Sequence, residues 1–336
     1  MLKMNDCFKN KRICVTGSTG LIGSNLVRRM LDNGAEVFAF GRSISKLQAC
    51  FGDIAGKNNL HLNETKYQTD FLSSVGQLDY IFHAASPITT GEINEDPSGA
   101  VHANVDGILA CINSITHMPK PSACRLVVFS SIAVYGVGVS DTERVVREDD
   151  TSLTSKLSES HSIYVESKRL VEALVNTYVN SYNLNAVILR ISSAYGYCKF
   201  KQRNFFYSFL DSALKGQDIH VKDKYQPKRD EIYIEDLINA ISVIADRGAT
   251  GEAYNISSFK DNSNYCTVPD VAEAIVEACN LIYHKTLKVV YGNENDSNKG
   301  WVTMDNTKLV KLGWSPSYDL KKGVIETVKL YSLMNK

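Results

Sequence analysis

A hydroxyl, a phenol and an ammonium in this 336-residue chain have the types and spacing that proton transfer needs. Tyr164 and Lys168 are four residues apart in a helical pattern, so their side chains share one face. The reference pKa of tyrosine is about 10, and a nearby ammonium favours the phenolate and lowers that pKa. Ser131 follows the apolar strand pattern at 126–129, where its hydroxyl can orient a substrate oxygen. We therefore predict that Tyr164 takes or returns a hydroxyl proton beside Ser131. The alternative is an ordinary exposed pair on a helix.

The segment Gly17-Ser-Thr-Gly20-Leu-Ile-Gly23 lies between a strand pattern at 12–16 and a helical pattern at 21–32. In this arrangement the first glycine permits a tight turn, the second lets backbone approach a pyrophosphate, and the third lets helix and strand pack closely. The positive end of the helix then faces the phosphates. A lone glycine triplet is weak support, but the phenol, ammonium and hydroxyl downstream favour an oxidoreductase that uses a nicotinamide. The predicted contacts to the dinucleotide are Gly17, Thr19, Gly20, Leu21, Ile22 and Gly23, together with Tyr164 and Lys168.

The end of the second predicted strand, at 36–40, indicates which nicotinamide cofactor binds. A carboxylate there accepts from the ribose of NAD, whereas an arginine pairs with the 2′-phosphate of NADP. The residues are Gly41-Arg42-Ser43, with no acid at the tip, so Arg42 and Ser43 favour NADP(H). NAD(H) is the alternative, with Arg42 as a solvated surface cation. Asp70 and Phe71 follow at a plausible distance for an adenine contact, although Asp70 could equally cap a helix.

The elements around these residues alternate between strands and helices in the first half of the chain. Strand patterns at 80–83, 126–129 and 186–191 and a helix at 164–179 continue the series. This alternation predicts an α/β fold, a doubly wound parallel sheet of the Rossmann type. We predict a cofactor domain at 1–195, to which residues 253–256 return, and a smaller, mainly substrate-binding lobe at 196–336. Its predicted helices cover 204–215, 235–246, 269–279 and 320–333.

Composition excludes several classes of function. The 37 acidic residues balance the 37 basic ones, so no net charge favours binding to nucleic acid. No apolar run is long enough to span a membrane and no signal peptide is evident, which predicts a cytoplasmic protein without membrane association. The eight cysteines are scattered without a C-x-x-C pair and are expected to be free thiols. The histidines lack metal-ligand spacing, so no metal site is predicted.

The chain resembles the extended short-chain dehydrogenases/reductases, in their nucleotide-sugar epimerase/dehydratase branch. The motifs that carry the resemblance are the glycine loop, Asp79-Tyr-Ile-Phe-His-Ala-Ala85, Ser130-Ser-Ile-Ala-Val-Tyr-Gly136, Tyr164-Val-Glu-Ser-Lys168, Arg229-Asp-Glu-Ile-Tyr-Ile-Glu-Asp236, Gly251-Glu-Ala-Tyr-Asn255 and Leu312-Gly-Trp-Ser-Pro316. The resemblance implies a Rossmann domain, a small C-terminal substrate lobe and a homodimer through helices near 104–117 and 164–179. It identifies Ser131, Tyr164 and Lys168 as the catalytic residues.

The resemblance also implies a nucleotide-diphosphate sugar as substrate. Arg229 would then pair with its diphosphate, and Ala84 and Ala85 would lie against the cofactor. The residues expected at the substrate are Ser86, Ser131, Tyr164, Ser193, Asn204 and Arg229. The chain departs from the family at Ser193, where asparagine is frequent, so we expect the substrate's phosphates to be held in another way than is usual there.

The residues directly after Ser131 narrow the choice of reaction. Related NAD-dependent dehydratases carry an Asp-Glu pair there to expel water, whereas this chain has Ile132 and Ala133. We therefore expect an NADPH-dependent reductase of a 4-keto-6-deoxy sugar nucleotide, in the biosynthesis of surface-polysaccharide sugars. A 4-epimerase with tightly held NAD is the alternative, and a non-catalytic NADP-binding sensor is a distant third.

Overall fold

A parallel sheet forms the centre of the computed structural model. The structure describes residues 7–65, 72–86, 93, 95–136, 144–150, 157–158, 162–222, 228–258, 264–292 and 302–334. The strands of the sheet are β1 (Arg12–Thr16), β2 (Glu36–Gly41), β3 (Leu60–Glu64), β4 (Tyr80–His83), β5 (Arg125–Ser131), β7 (Ala186–Ile191) and β11 (Ala253–Ile256). These seven strands lie in the order β11-β7-β5-β4-β1-β2-β3, and every neighbouring pair is parallel.

Helices of the described residues cover both faces of this sheet and also pack on the smaller lobe. They are α1 (Leu21–Asp32), α2 (Ile44–Phe51), α3 (Pro97–Thr116), α4 (Ser162–Tyr182), α5 (Phe205–Leu214), α6 (Ile234–Arg247), α7 (Val268–Tyr283), α8 (Thr307–Val310) and α9 (Leu320–Met334).

Alternation along β5 shows why two layers of helices are needed. Val127 and Phe129 belong to one apolar cluster, which includes buried residues of α1 and α6. Leu126 and Val128 belong to a second cluster, which includes buried residues of α3 and α4. Successive side chains of a strand point to opposite faces, so a strand that is apolar throughout must be covered on both sides. The predicted doubly wound α/β fold is confirmed.

The smaller lobe is built on short strands. Three of them, β8 (Ser193–Tyr195), β10 (Arg229–Tyr233) and β12 (Tyr265–Cys266), form a sheet with β10 in the middle. Two further pairs are β9 (Ile219–Val221) with β13 (Val289–Tyr291), and β6 (Arg144–Val146) with β14 (Val302–Met304).

The two parts of the chain are interleaved. Ser192 alone separates β7 of the main sheet from β8 of the lobe. Helix α6 returns to the cofactor domain, where Arg29 of α1 donates to Asn239 at 2.6 Å and also pairs with Glu235. The predicted boundary near residue 195 therefore does not divide the chain into two separate sets of elements.

Most of the predicted elements lie within a few residues of the observed ones. The predicted helix at 164–179 is longer, as α4, and the predicted strand at 126–129 is extended to Ser131. Strand β3 was not predicted, because Leu60-His-Leu-Asn-Glu64 is a half-exposed edge strand with little apolar signal. Among the helices of the described residues, none has the length and apolar character that a membrane crossing requires.

Candidate active site

The glycine loop connects β1 to α1 and lies against the end of β4. Gly17 has a φ of +64°, and a Cβ atom there would stand 2.8 Å from the Ala84 carbonyl oxygen and from Ala85. A Cβ atom at Gly23 would stand 2.3 Å from the Gly17 carbonyl oxygen, whereas one at Gly20 would meet that oxygen only at 3.4 Å. Gly17 and Gly23 are therefore required for packing, and Gly20 leaves an open approach to the backbone.

The first turn of α1 is arranged to receive an anion. Its N-cap residue is Gly20, which provides no side-chain cap, and Leu21 and Ile22 open the helix. Thr19 is half-buried in the loop beside them. Helix N-termini without a side-chain cap leave N–H groups for an external acceptor. This cradle, closed to any side chain at two of its glycines, fits a dinucleotide pyrophosphate.

The end of β2 carries both an arginine and a nearby acid. Arg42 is exposed, and Ser43 caps α2 by accepting from the Lys46 N–H at 3.3 Å. Glu64, at the end of the adjacent β3, accepts from the Ile44 N–H at 3.2 Å. The sequence patterns did not indicate that this carboxylate lies beside Arg42 and Ser43. Its negative charge disfavours a phosphate at this edge of the sheet. Asp70 and Phe71 lie outside the described residues.

The end of β4 links the end of β1, which leads into the glycine loop, to helix α4. The Ala85 N–H donates to Thr16 Oγ1 at 3.2 Å. Ser86 donates to Asn104 Oδ1 at 2.7 Å, and Asn104 donates to Ser167 Oγ at 2.9 Å. Ser167 in turn donates to the carbonyl of Tyr164 at 2.9 Å. These hydrogen bonds fix the position of Ser86 relative to Tyr164.

The three residues singled out for proton transfer come together at the carboxyl end of β5. Ser131 is the last residue of that strand, and its hydroxyl interacts with the Tyr164 phenol in the sense that favours the phenolate. Lys168 Nζ lies 5.9 Å from the centre of the Tyr164 ring and donates to the Phe129 carbonyl at 2.7 Å. The helix thus presents phenol and ammonium on one face, above the strand that carries the alcohol.

The protonation of this trio differs from what spacing alone predicts. Burial raises the pKa of Tyr164, and the Ser131 hydroxyl only partly opposes that shift. The pKa of Lys168 is lowered to about 8, chiefly because the amine is buried, with the Glu172 carboxylate opposing the change. The lowered phenol pKa that we predicted from the nearby ammonium is wrong. The opposite direction results because burial of the phenol disfavours the phenolate, while the Lys168 ammonium donates to the Phe129 carbonyl.

His83, at the end of β4, is a packed histidine. Its Nδ1 lies 3.0 Å from Thr16 Oγ1, and the ring is buried beneath Gly107. Burial and then the Lys168 cation lower its pKa to about 3, so the imidazole is neutral at physiological pH. A neutral ring in this position supports the strand end and adds no charge to the site.

Two of the residues predicted to hold substrate, Ser193 and Arg229, lie in the lobe beside an acid that the sequence reasoning missed. Glu231 is 1% exposed, and its Oε1 lies 2.8 Å from Arg229 Nε. Ser193 lies directly across from Glu231 on β8, and its hydroxyl favours the charged form of this carboxylate. The sequence could have indicated this contact, since Arg229 and Glu231 are two positions apart and residues two apart on a strand share a face.

The aromatic ring of Phe205 also lies against Arg229. The guanidinium of Arg229 lies 4.7 Å from the centre of the Phe205 ring, a cation–π distance. Asn204, next to Phe205, caps α5 by accepting from the Tyr207 N–H at 3.2 Å. Ser193 follows Ile191 by two residues, and Ile191 pairs with Ser131. The group formed by Ser193, Arg229 and Glu231 therefore continues from the same edge of the sheet as Ser131.

Comparisons with known proteins agree with this arrangement. The family model described as "NAD dependent epimerase/dehydratase family" matches residues 13–257. The dTDP-glucose 4,6-dehydratase of Salmonella typhimurium is 23% identical over 338 residues, which cover 95% of this chain and 92% of that protein.

A second relative is considerably longer than this chain. The trifunctional UDP-glucose 4,6-dehydratase/UDP-4-keto-6-deoxy-D-glucose 3,5-epimerase/UDP-4-keto-L-rhamnose-reductase of Arabidopsis thaliana is 26% identical over 334 residues. The match covers 96% of this chain and 47% of that protein, so the chain spans about half the length of this relative.

A solved structure shows the same fold over the whole chain. An epimerase of Methanothermobacter thermautotrophicus superposes with a TM-score of 0.81 at 23% identity, and the match covers 99% of this chain and 97% of that one. The family model extends from β1 to β11 and so includes the glycine loop, Ser131, Tyr164, Lys168 and Arg229. The chain therefore belongs to the NAD dependent epimerase/dehydratase family, which confirms the resemblance to the extended short-chain dehydrogenases/reductases found in its sequence.

Proposed function

We propose that this protein is an NAD(P)-dependent reductase of a 4-keto-6-deoxy sugar nucleotide, acting in the biosynthesis of surface-polysaccharide sugars. The observation that supports it is the Ser131–Tyr164 pair, with Ile132 and Ala133 directly after the serine. Neither of those two side chains offers the acid or base that elimination of water requires. The site is thus equipped to exchange one proton with one oxygen.

The protonation of the phenol supports this direction of the reaction. A bound nicotinamide would supply the hydride. Tyr164 has a raised pKa and so carries its proton at neutral pH, ready to give it to a keto oxygen. Ser131 orients that oxygen, and the buried Lys168 ammonium stabilises the phenolate that is left. A resting acid of this kind suits ketone reduction better than alcohol oxidation.

For the cofactor we propose NADP(H), on the basis of Arg42 and Ser43 at the end of β2. Arg42 is exposed where a 2′-phosphate would lie, and no acid follows Gly41 in the chain. The Glu64 carboxylate, 3.2 Å from the Ile44 nitrogen, favours NAD(H) instead. Titration of the protein with NADPH and NADH, followed by nicotinamide fluorescence, decides between them. A clear NADH preference would end the NADP(H) proposal.

A 4-epimerase with retained NAD is the second candidate. Both Glu64 and the family description favour NAD, and an epimerase needs no net supply of reductant. The purified protein should be assayed with 4-keto-6-deoxy sugar nucleotides and with plain hexose nucleotides. Net NADPH oxidation on the keto sugars supports the reductase, whereas isomer formation without net oxidation would reverse the order of the two candidates.

We propose that the substrate is held through its diphosphate by Arg229. The pairing with Glu231 and the ring of Phe205 fix the guanidinium while leaving the side chain 32% exposed. A planar guanidinium fixed in this way can form two hydrogen bonds to phosphate oxygens. A thermal-shift panel of UDP, CDP, GDP and dTDP would show which base is accepted, because ligands that bind the folded state stabilise it.

We also propose a homodimer through α3 and α4. These helices cover one face of the sheet, and α4 presents three exposed apolar residues, Ile163 (39%), Leu170 (47%) and Tyr182 (69%). Light scattering after size exclusion should give twice the chain mass, and Leu170→Glu should reduce it to one. A wild-type monomer would contradict this proposal.

A further inference from the structure

A buried ion pair lies one helical turn beyond Lys168. Glu172 follows Lys168 by four residues on α4, and Arg190 of β7 donates to it from Nη2 at 2.7 Å and from Nε at 3.1 Å. The side chain of Ser130 also donates to this carboxylate. The side chains of Arg190 and Glu172 are only 13% and 10% exposed. The pair thus connects the helix that carries Lys168 with the two strands beneath it.

The arginine is in turn fixed from its other side. Arg190 Nη1 donates to the Tyr135 hydroxyl at 2.7 Å and to the Glu148 carbonyl at 2.8 Å. Tyr135 donates to Asn255 Oδ1 at 2.7 Å. Glu172 therefore cannot leave this position without breaking several hydrogen bonds. Its partner Ser130 directly follows Phe129, whose carbonyl accepts from Lys168, so the carboxylate and the ammonium are held by consecutive residues of β5.

We propose that Glu172 is a positioning residue for Lys168: held by Arg190 and Ser130, its carboxylate keeps the neighbouring ammonium charged. Lys168 is 5% exposed, and burial favours its neutral form. Glu172 is the charge that opposes this loss of solvation. The inference rests on the proposed binding of NAD(P)(H) and is independent of the sugar and of the choice between reductase and epimerase.

Other groups around Lys168 do not account for its charge. His83, from β4, is neutral because its pKa is about 3. Tyr164 on the same helix is neutral because burial raises its pKa, and burial raises the pKa of Tyr135 to about 12. From β5, Phe129 contributes its carbonyl and Ser130 and Ser131 contribute hydroxyls. Arg190 on β7 is cationic and opposes the ammonium, so Glu172 is the group that favours it.

The charges of the pair predict two opposite effects. Glu172→Gln removes the favourable charge and leaves Arg190 uncompensated, so the pKa of Lys168 should fall. Arg190→Gln leaves the carboxylate without its arginine, so the pKa of Lys168 should rise. Disruption of packing alone would not lower the pKa of Lys168 in one variant and raise it in the other. If one variant fails to fold, the direction of the pKa shift in the other still tests the proposal.

The experiment is a titration of wild type and both variants with NADPH and NADH across about pH 6 to 10, monitored by nicotinamide fluorescence. In the wild type the affinity should fall with a midpoint near pH 8, where the ammonium that attracts the anionic cofactor is lost. We expect Glu172→Gln to lower that midpoint by about one pH unit and Arg190→Gln to raise it. Lys168→Met is the control and should abolish this transition.

The outcomes separate the role of Glu172 from the proposed function. Binding in the wild type with midpoints that move in opposite directions supports the role of Glu172. Unmoved midpoints, or shifts of both variants in the same direction, overturn it while the proposed cofactor stands. No binding of either nucleotide by the folded wild type would instead refute the proposed function on which the inference rests.

Discussion

Replacement of Gly23 by alanine should weaken cofactor binding through a displacement of α1. The added Cβ would lie 2.3 Å from the Gly17 carbonyl oxygen, 2.8 Å from the Gly17 carbonyl carbon and 2.9 Å from Ser18 Cα. All three atoms are backbone and cannot rotate away. Ordinary contact begins near 3.4 Å, so the helix and the loop must separate by about 1 Å. A hydrogen bond of about 2.9 Å that lengthens by this amount is lost.

The size of the effect follows from that displacement. Overpacking at a close backbone contact costs about 1–3 kcal/mol of folding free energy. Two lost hydrogen bonds to a charged phosphate, at about 1.5–3 kcal/mol each, amount to at least about 3 kcal/mol of binding. We therefore expect NADPH or NADH, whichever the wild type prefers, to bind more than about 100-fold more weakly. Nicotinamide fluorescence measures the binding, and urea unfolding measures the stability.

A matched control is available at Gly56, which is exposed and has no atom within 4 Å of its Cβ position. Gly56→Ala should keep the wild-type affinity, with a free energy of unfolding that is unchanged or raised by up to about 1 kcal/mol. If Gly23→Ala binds the cofactor within a few-fold of wild type, the close approach of helix and loop is not what shapes this site, and the reasoning is wrong.

Three further substitutions test separate parts of the molecule. Tyr164→Phe should keep cofactor affinity and reduce turnover by about 10²–10⁴-fold, since general acid catalysis is lost; unchanged turnover would refute its role. Arg229→Ala should raise KM for the nucleotide sugar by about 10–100-fold with a smaller change in kcat, because charged hydrogen bonds to the diphosphate are lost; an unaltered KM in steady-state assays would exclude the proposed contact. Asp236→Ala should lower the free energy of unfolding by about 1–3 kcal/mol in urea titrations, because the N–H groups of Ser317 and Tyr318 lose their buried acceptor. A loss below about 0.5 kcal/mol would show that water replaces it.

Local spacing accounts for the parts of this protein that the sequence predicted. Gly17, Gly20 and Gly23 are read from their positions between a strand and a helix, and Tyr164 and Lys168 from one helical turn. These relations hold within a few residues of chain. They survive any uncertainty about how distant segments pack, which is why the Rossmann-type sheet and its glycine loop could be predicted.

The remaining features depend on register and burial. Ser130 and Glu172 are 42 residues apart, and their contact exists because α4 crosses above β5. Glu64 reaches α2 only because β3 pairs with β2 in a particular register. The direction of the Tyr164 pKa shift depends on how much water the fold removes from the phenol, which no local pattern contains.

The single residue between β7 and β8 has a mechanical consequence. Ile191 pairs in register with Ser131, and Ser193 two positions later pairs with Glu231, whose carboxylate lies against Arg229. With only Ser192 between them, there is no slack in the chain to absorb a rotation of the lobe. A rotation of the lobe that displaced Arg229 would therefore also displace the strand end at Ile191, which pairs with Ser131. The position of Arg229 and the position of Ser131 are therefore coupled through the two peptide units that flank Ser192.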